Sequence, residues 1–497
     1  AEKKCCGFSF LLINSFLLDI LDYVMISPSA HPSWLFYSPL SQQAALLKDD
    51  LLDPVDHLLE DPDLIELVRG CLATRSPAST RTGRPGMSPD RLLRCCVMKH
   101  LKGWSFRELD RELRGSLVYR RFTRFDAEVT PNFTVFSRNL ALLTPAVTEK
   151  IHRRVVDLAR EQGVAQGRKL RTDTTVVESN VHYPTDSTLL GDGIRVLSRG
   201  LQRIAAQCKS GTLEVVNHAR AVKYRMLEIS RAAKTLTEAS RQRMQDSYQK
   251  LLALTRGVVR DTRDVMQRWA KGRLPVTGKL LQVETQIGLL QHFLPLVEKV
   301  IAQTKERVWG GNCHVQGKVL SLFEPHTAVI RKGKAHKPNE FGRLVRIDEV
   351  ENGIVSGYEV LEGNPSDTTA FIPAVEQHQD CFGKAPETGT ADRGYFSAEN
   401  ERAAQVLGVQ KVAVPARGKL SAKRAALQKQ RWFRRALRWR AGCEATISTL
   451  KHSFSMLRAT YKGDHGFQRY VGWSVITKNL FSIARYQERR RHHDQAD

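Results

Sequence analysis

Residues 169–179 read KLRTDTTVVES, and this stretch decides how the fold is interpreted. Its β-branched residues and its alternation predict a strand. Residues of alternate parity face opposite sides of a sheet, so Asp173 shares a face with Arg171, Thr175 and Val177. Helical patterns precede and follow the stretch, so it marks the place where a sheet begins.

On both sides of this strand, the residue composition and periodicity divide the chain into five parts. The predicted parts are a poorly specified extension (1–48), a helical N-terminal domain that binds DNA (49–165), a sheet domain in two pieces (166–187 and 311–485), a helical insertion (188–310) and a charged tail (486–497). A chain of 497 residues is long enough for several domains. The expected fold class is therefore α/β with a large all-α insertion, preceded by an all-α domain.

The N-terminal helices carry recognisable start and stop signals. SPDRLLRCCVMKHLKG predicts a helix with Ser88 as N-cap, Pro89 in the first turn and Gly103 as its end. Ser105 is expected to cap a second helix, and Thr130 with Pro131 to open a third. Helix, turn, helix is compatible with a DNA reader and equally with an ordinary helical bundle.

The second half resumes strands after Lys318. The segment 318–342 is expected to hold a strand and a basic loop, and Asn352-Gly353 between apolar runs predicts a hairpin. With the insertion of two or three long helices removed, the order is strand, three strands, helix, strand, helix, strand, long helix. That order is close to that of a ribonuclease H-like fold.

The charge of the chain points to a polyanionic partner. The formal net charge is +25, and such an excess speeds encounter with nucleic acid. Nine cysteines without a C-x-x-C or a zinc spacing favour reduced thiols in a cytoplasm. Asp19 and Asp22 interrupt the apolar N-terminal run, so no membrane span is expected. The predicted location is cytoplasmic and nucleoid-associated.

Three acidic residues in different local settings are the candidate catalytic groups. Asp173 lies within the strand, Asp392 follows a strand in GTADRGYFS, and Glu444 lies in the helical stretch RWRAGCEATISTLKHSF. Two Mg²⁺ ions about 3.5–4 Å apart can activate water and stabilise a leaving oxygen, and they prefer carboxylate ligands. Each acid also has a simpler interpretation, as an edge-strand charge, a turn-forming Asp or an exposed helical residue.

The helix around Glu444 combines the acid with two cations. At about 100° per residue, Arg440 lies within ~40° and Lys451 within ~20° of the direction of Glu444. A metal-binding Glu flanked by cations suits a site that also holds phosphates. The alternative is a solvated face on which Arg440 and Glu444 form an i,i+4 pair.

A basic stretch without any acid precedes that helix, from Arg417 to Arg440. Phosphate contacts with some base stacking need such a combination of cations and aromatic rings. Trp432, Phe433 and Trp439 are the interleaved rings. The predicted DNA-binding residues come from three places. They are Arg440 and Lys451 beside Glu444, the stretch residues Arg431, Trp432, Arg434, Arg435 and Arg438, and the cations Lys332 and Lys334 of the earlier basic loop.

These motifs resemble those of DDE transposases of bacterial insertion sequences. RTDTTVVESNVHYPTDSTLLGDG resembles the first-Asp region of the ISNCY-type group, and ADRGYFS the second-Asp region. Arg440, Glu444 and Lys451 match the spacing of a Y-x2-R-x3-E-x6-K signature, in which Leu437 replaces the Tyr. GRPGMSPDRLLRCCVMKHLKGWSFRELDREL resembles the helical domain that precedes the catalytic core.

The resemblance implies a ribonuclease H-like catalytic domain and a cut-and-join reaction on DNA. Asp173, Asp392 and Glu444 would hold two Mg²⁺ or Mn²⁺ ions, while Arg440 and Lys451 hold phosphates. Double-stranded DNA, as terminal inverted repeats and target, is the expected partner, bound by a homodimer or a larger assembly. Two alternatives remain: a DNA-binding regulator or inactive domesticated transposase, and a metal-dependent nuclease that does not join strands.

Overall fold

The computed structural model describes residues 49–75, 86–126, 128–235, 237–331 and 339–494. It divides into two compact units. Unit 1 comprises residues up to Glu178 and from Gly342 onward, and unit 2 runs from Ser179 to Phe341. The predicted extension at 1–48 lies outside the described residues, and the predicted domain boundaries stay a prediction. The described residues form a mixed α/β protein with a helical N-terminal region, as expected at this coarse level.

Seven helices make up the described N-terminal region of unit 1. They are α1 (Asp53–Leu58), α2 (Pro62–Ala73), α3 (Pro89–Lys102), α4 (Phe106–Gly115), α5 (Leu117–Phe122), α6 (Phe133–Leu142) and α7 (Pro145–Glu161).

Most of the predicted helix signals in this region are found in the structure. Ser105 forms a capping box with Glu108, and Gly103 ends α3 with a φ of 69°. Ser88 occupies the N-cap of α3, but its side chain makes no capping hydrogen bond. The expectation of Thr130 with Pro131 as the start of α6 was wrong, because Asn132 caps that helix by accepting from the Thr134 amide.

The sheet of unit 1 is built around the strand that the sequence indicated. The strands are β1 (Lys169–Ser179), β3 (Glu340–Glu349), β4 (Val355–Val360), β5 (Thr388–Ala391), β6 (Lys411–Ala413) and β7 (Arg458–Ala459). β1 lies between β3, with which it pairs antiparallel, and β5, with which it pairs parallel. β5 pairs with β6 in parallel, β4 pairs with β3, and β7 pairs with β1.

The hairpin between β3 and β4 turns at the predicted Asn352-Gly353. Asn352 has a φ of 52° and Gly353 a φ of 76°, and both are left-handed values that Asn and Gly tolerate well. The turn sets the register in which Glu349 pairs with Val355. The Asn-Gly signal therefore located the hairpin correctly.

The remaining helices of unit 1 follow the strands. They are α12 (Phe371–Phe382), α13 (Ala398–Val406), α14 (Ala422–Lys429), α15 (Arg431–Ser453) and α16 (Asp464–Asp494). The long helix expected after the last strand is divided into α14 and α15 at Gln430, which has an extended conformation. The helix α16 continues through most of the predicted charged tail.

The core of unit 1 is organised around α16. Trp473 on this helix is 1% exposed, and the Asn479 side chain accepts from the Val355 amide (2.9 Å) and donates to its carbonyl (2.7 Å). His100 of α3 lies 3.3 Å from the Ser474 hydroxyl. Thus α16 links the N-terminal helices to the sheet hairpin.

Unit 2 is a helical body that interrupts the sheet region. Its elements are α8 (Asp186–Ala205), α9 (Ala219–Ala232), α10 (Glu238–Ala270), α11 (Leu280–Val308) and the short strand β2 (Ala328–Ile330). The insertion thus has four described helices, one more than the upper expectation. The strand expected in 318–342 is limited to the three residues of β2 and to the start of β3, and most of the predicted basic loop lies outside the described residues.

Candidate active site

The parallel pairing of β1 with β5 brings two of the three predicted acids side by side. Thr172 pairs with Ala391, so the next residue on each strand is Asp173 and Asp392 respectively. Asp173 continues within β1, whereas Asp392 follows the end of β5. Because parallel strands keep their register, the two carboxylates emerge at the same level of the sheet.

Local hydrogen bonds orient both aspartates. The Asp173 carboxylate accepts from the Thr174 amide at 2.8 Å, and the Asp392 carboxylate accepts from the Arg393 amide at 2.7 Å. The Asp173 side chain is 19% exposed and that of Asp392 is 59% exposed. One acid is therefore held at the sheet surface and the other reaches into solvent.

The helix α15 supplies the third acid and a cation that contacts all three. Arg440 Nη1 lies 3.5 Å from Asp173 Oδ2 and 3.9 Å from Asp392 Oδ1, and its Nη2 lies 3.3 Å from Glu444 Oε1. The three acids and Arg440, which we call the Arg440 cluster, come from two strands and one helix. The structure thus assembles the residues that the sequence singled out, around an arginine.

The donor set of the Arg440 cluster fits a hard divalent cation, since carboxylate oxygens are the ligands that Mg²⁺ and Mn²⁺ prefer. Within the described ranges, however, no group of three or more His, Cys, Asp or Glu residues is arranged to hold a metal ion. The carboxylates converge on the Arg440 guanidinium. An ion that used all three would have to displace that cation.

Arg171 of β1 fixes the position of α15. Its guanidinium donates to the Trp439 carbonyl and to the Glu349 carboxylate, and it lies 4.7 Å from the centre of the Trp439 ring. A Cβ atom at Gly442 would lie 2.5 Å from Arg171 Nη1, so glycine permits this close approach. Arg171 therefore anchors the helix next to the residue that carries the cluster's guanidinium.

Buried charge surrounds that anchor. Glu349 is 0% exposed, and burial lowers the pKa of Lys478 to about 8, while the neighbouring Glu349 acts in the opposite direction. One Glu349 oxygen and the Lys478 amine have no hydrogen-bond partner among the described residues. Burial also raises the pKa of the Cys443 thiol, with Glu349 adding to the effect. Arg171, Glu349 and Lys478 form what we call the buried frame.

Two further residues next to Asp173 escaped sequence reasoning. Asp367, the first residue of a short 3-10 helix between β4 and α12, accepts from the Thr174 hydroxyl at 2.9 Å. Tyr395 is 1% exposed, and burial raises the pKa of its hydroxyl, with Asp173 and Asp367 contributing in the same direction. Tyr395 stands three residues after Asp392 in ADRGYFS, and this proximity was the available signal.

The predicted DNA-binding arginines lie on a different face of α15 from the cluster. Arg431, Arg434, Arg435 and Arg438 are all exposed and follow the spacing i, i+3, i+4, i+7 of one helical face. At about 100° per residue, Arg440 points ~180° away from Arg431. The helix thus separates a purely cationic face, which we call the arginine face, from the face of the cluster.

The aromatic residues and the remaining cations have different environments. Phe433 is fully buried, so the stacking role considered for it was wrong, and Trp439 stacks on Arg171. Trp432 is half-buried beside Phe433, with ring centres 5.4 Å apart. Lys451 is half-buried on α15. Lys332 and Lys334 lie outside the described residues.

Unit 2 contains a cavity but, within its described residues, none of the predicted site residues. The cavity has a volume of about 1050 Å³ and is lined by side chains of α8, α9 and their neighbours within that unit. The predicted chemistry therefore concentrates in unit 1.

In the part of the chain that the structure describes, no helix is long and apolar enough to cross a membrane.

Two family models match the chain. The model described as Transposase domain (DUF772) matches residues 40–142, and the model described as Transposase DDE domain matches residues 328–480. The second range includes Asp392, Arg440 and Glu444, whereas Asp173 lies between the two matches. No curated protein gives a significant match, and no solved structure does.

Proposed function

Because this chain belongs to the DDE transposases of insertion sequences, we propose that the Arg440 cluster cuts DNA at transposon ends and joins the new 3′-hydroxyl to target DNA. The ISNCY-type subgroup remains a prediction. In the first step water attacks a phosphodiester and releases a 3′-hydroxyl. In the second, that hydroxyl attacks a target phosphodiester and displaces another 3′-oxygen.

The observation that carries this proposal is the convergence of three distant acids on one guanidinium. Asp173, Asp392 and Glu444 are far apart in sequence, yet each has an oxygen within 4 Å of Arg440. The three carboxylates are the proposed ligands of two divalent ions, Mg²⁺ or Mn²⁺. Such ions, when bound, supply charge neutralisation and a more acidic water at the scissile phosphate.

The residues of the chain have distinct proposed roles around that chemistry. Thr174 and Arg393 hold the two aspartates through their amides, as the 2.8 Å and 2.7 Å hydrogen bonds indicate. Arg440 and Lys451 hold phosphate oxygens next to the cleavage point, since guanidinium and ammonium groups both pair with phosphate. Glu444 is the most exposed acid at 73%, which suits a ligand that completes the site last.

The arginine face is the proposed contact surface for the DNA backbone. Its four exposed arginines stand in a stretch without any acid, and no ion pair is found for Arg431, Arg435 or Arg438 among the described residues. Contacts of this kind position DNA and weaken as salt increases. Because this face is directed away from the cluster, it suits DNA that flanks the cleavage point.

Further features follow from the family resemblance. The order β3-β1-β5-β6 with β4 on the outer side of β3 supports a ribonuclease H-like arrangement for the sheet. The helical region at α3 and α4 is the proposed reader of the terminal inverted repeat. A homodimer or larger assembly that pairs two DNA ends is the proposed working form.

The test uses purified full-length protein, labelled element-end DNA, a target plasmid and Mg²⁺ or Mn²⁺. Asp173→Asn, Asp392→Asn and Glu444→Gln should each reduce cleavage at least a hundredfold, because each removes a proposed ligand charge. Glu399→Gln, an exposed acid in the first turn of α13, serves as the matched control and should cleave normally.

The products distinguish the proposed function from its alternatives. Joined product supports a transposase, cutting without joining indicates a nuclease, and binding without cutting indicates a regulator. Full cleavage activity in all three acid variants would refute the site assignment even if joining is observed.

A further inference from the structure

Arg440 contacts its three carboxylates loosely. The shortest N–O distance is 3.3 Å and the others are 3.5 and 3.9 Å, all longer than the about 2.7–2.9 Å of a strong charged hydrogen bond. One positive charge faces three negative ones, so the cluster keeps an excess of negative charge. A cation of higher charge would neutralise the same oxygens better.

The backbone of Arg440 is positioned independently of those carboxylates. Its neighbour Trp439 is fixed through its carbonyl and its ring by Arg171, while Phe433 and Cys443 of the same helix are fully buried. The Arg440 side chain is 16% exposed. The end of this long side chain can therefore change partners while α15 stays in place.

We propose that Arg440 is an exchangeable cation, which holds the three carboxylates together until a divalent ion takes them and which then pairs with a DNA phosphate. This inference rests on the proposed function of the cluster. A guanidinium forms the same forked hydrogen bonds with phosphate as with carboxylate, so the exchange preserves its pairing. The three acids, in turn, are kept near each other while their mutual repulsion is screened.

The competing explanation is that Arg440 is a permanent structural partner of the acids. In that case removal of its charge would let the carboxylates repel one another and move apart, and a divalent ion would bind less well. The two explanations predict opposite changes in metal affinity. The measurement needs neither DNA nor turnover.

The experiment measures Mn²⁺ binding to the DNA-free full-length protein by electron paramagnetic resonance of free Mn²⁺. Arg440→Gln should bind Mn²⁺ about tenfold more tightly than the native protein, because the ion no longer competes with an internal cation. Arg440→Lys, which keeps the charge, should stay close to the native affinity. Arg402→Gln removes an exposed cation of α13 that forms no ion pair among the described residues, and it should change the affinity less than twofold.

The outcomes separate this inference from the proposed function. Equal or weaker Mn²⁺ binding by Arg440→Gln, with measurable binding by the native protein, overturns the exchange and leaves the cluster as a metal site. Absence of Mn²⁺ binding in every variant overturns both.

A thermal shift gives a second readout. Mn²⁺ should raise the Tm of Arg440→Gln more than that of the native protein. If Arg440→Gln does not fold without metal, its recovery by Mn²⁺ supports the exchange, and failure to recover contradicts it.

Discussion

Arg171 and Arg440 lie close to one another in unit 1, but they have opposite surroundings. The Arg171 side chain is 9% exposed and its partner Glu349 is 0% exposed, so both charges are removed from water. Arg440 faces three acids, two of which are 59% and 73% exposed. One arginine is bound by short contacts on several sides, and the other is surrounded by longer ones.

The difference shows how a site can be fixed in position while its ion pairs can still rearrange. Buried ion pairs are strongly destabilised when one partner is removed, whereas exposed pairs contribute little. The buried frame therefore determines where α15 lies, and the Arg440 cluster can rearrange upon that helix. Four variants test this contrast, and their expected effects decrease in order.

Arg171→Met should have the largest effect. It leaves the Glu349 carboxylate buried without its ion-pair partner, which costs about 3–5 kcal/mol in comparable cases. Urea unfolding of the full chain, followed by circular dichroism, measures the loss. A loss below about 1 kcal/mol would show that Arg171 does not anchor α15 in the way its contacts indicate.

Gly442→Ala should destabilise the native protein by about 1–3 kcal/mol, because the new methyl group collides with the Arg171 guanidinium. In an Arg171→Met background the collision is absent, and alanine should then stabilise the helix by up to about 1 kcal/mol. The same unfolding assay applied to the four proteins of this cycle gives both values. The same sign in both backgrounds would contradict the proposed contact.

Lys478 makes the stability of the buried frame dependent on pH. Its folded-state pKa of about 8 lies below the ordinary lysine value of 10.5, so the unfolded chain binds more protons between these values. The free energy of unfolding should therefore rise with pH over this window, by up to about 1.4 kcal/mol per pH unit. Below pH 8 the full cost of burying the charged Lys478 amine is present. Lys478→Met should lack this increase. A parallel increase in native and variant proteins would assign it to other groups.

Arg440→Gln should have the smallest effect on stability, no more than about 1 kcal/mol without metal, since two of its three partners are exposed. The same urea assay provides the comparison with Arg171→Met. A loss as large as that of the buried variant, and not restored by Mn²⁺, would mean that Arg440 belongs to the frame, and it would also argue against the exchange of partners.

The sequence allowed the elements of the candidate site to be predicted because their signals are local. Alternation defined β1, the Asn-Gly pair defined the hairpin, and helical spacing placed Arg440 and Glu444 on one face. The identity of the site as a metal centre remains a prediction. These inferences needed only neighbouring residues.

The long-range contacts could not be predicted in the same way. Arg171 meets Glu349 only because β1 and β3 pair in one particular antiparallel register, which no local pattern specifies. The contact of Arg440 with both aspartates depends likewise on the parallel register of β1 with β5. The separation of the arginine face from the cluster, by contrast, was readable from the spacing of Arg431 and Arg440.

The helix α16 has a consequence for the order of synthesis. It provides Trp473 and Asn479 to the core of unit 1, and every member of the Arg440 cluster precedes it in the chain. The nascent chain therefore carries all four cluster residues before the helix that completes their scaffold has been made. We expect the nascent protein to acquire its DNA-processing competence only after residues 464–494 have left the ribosome.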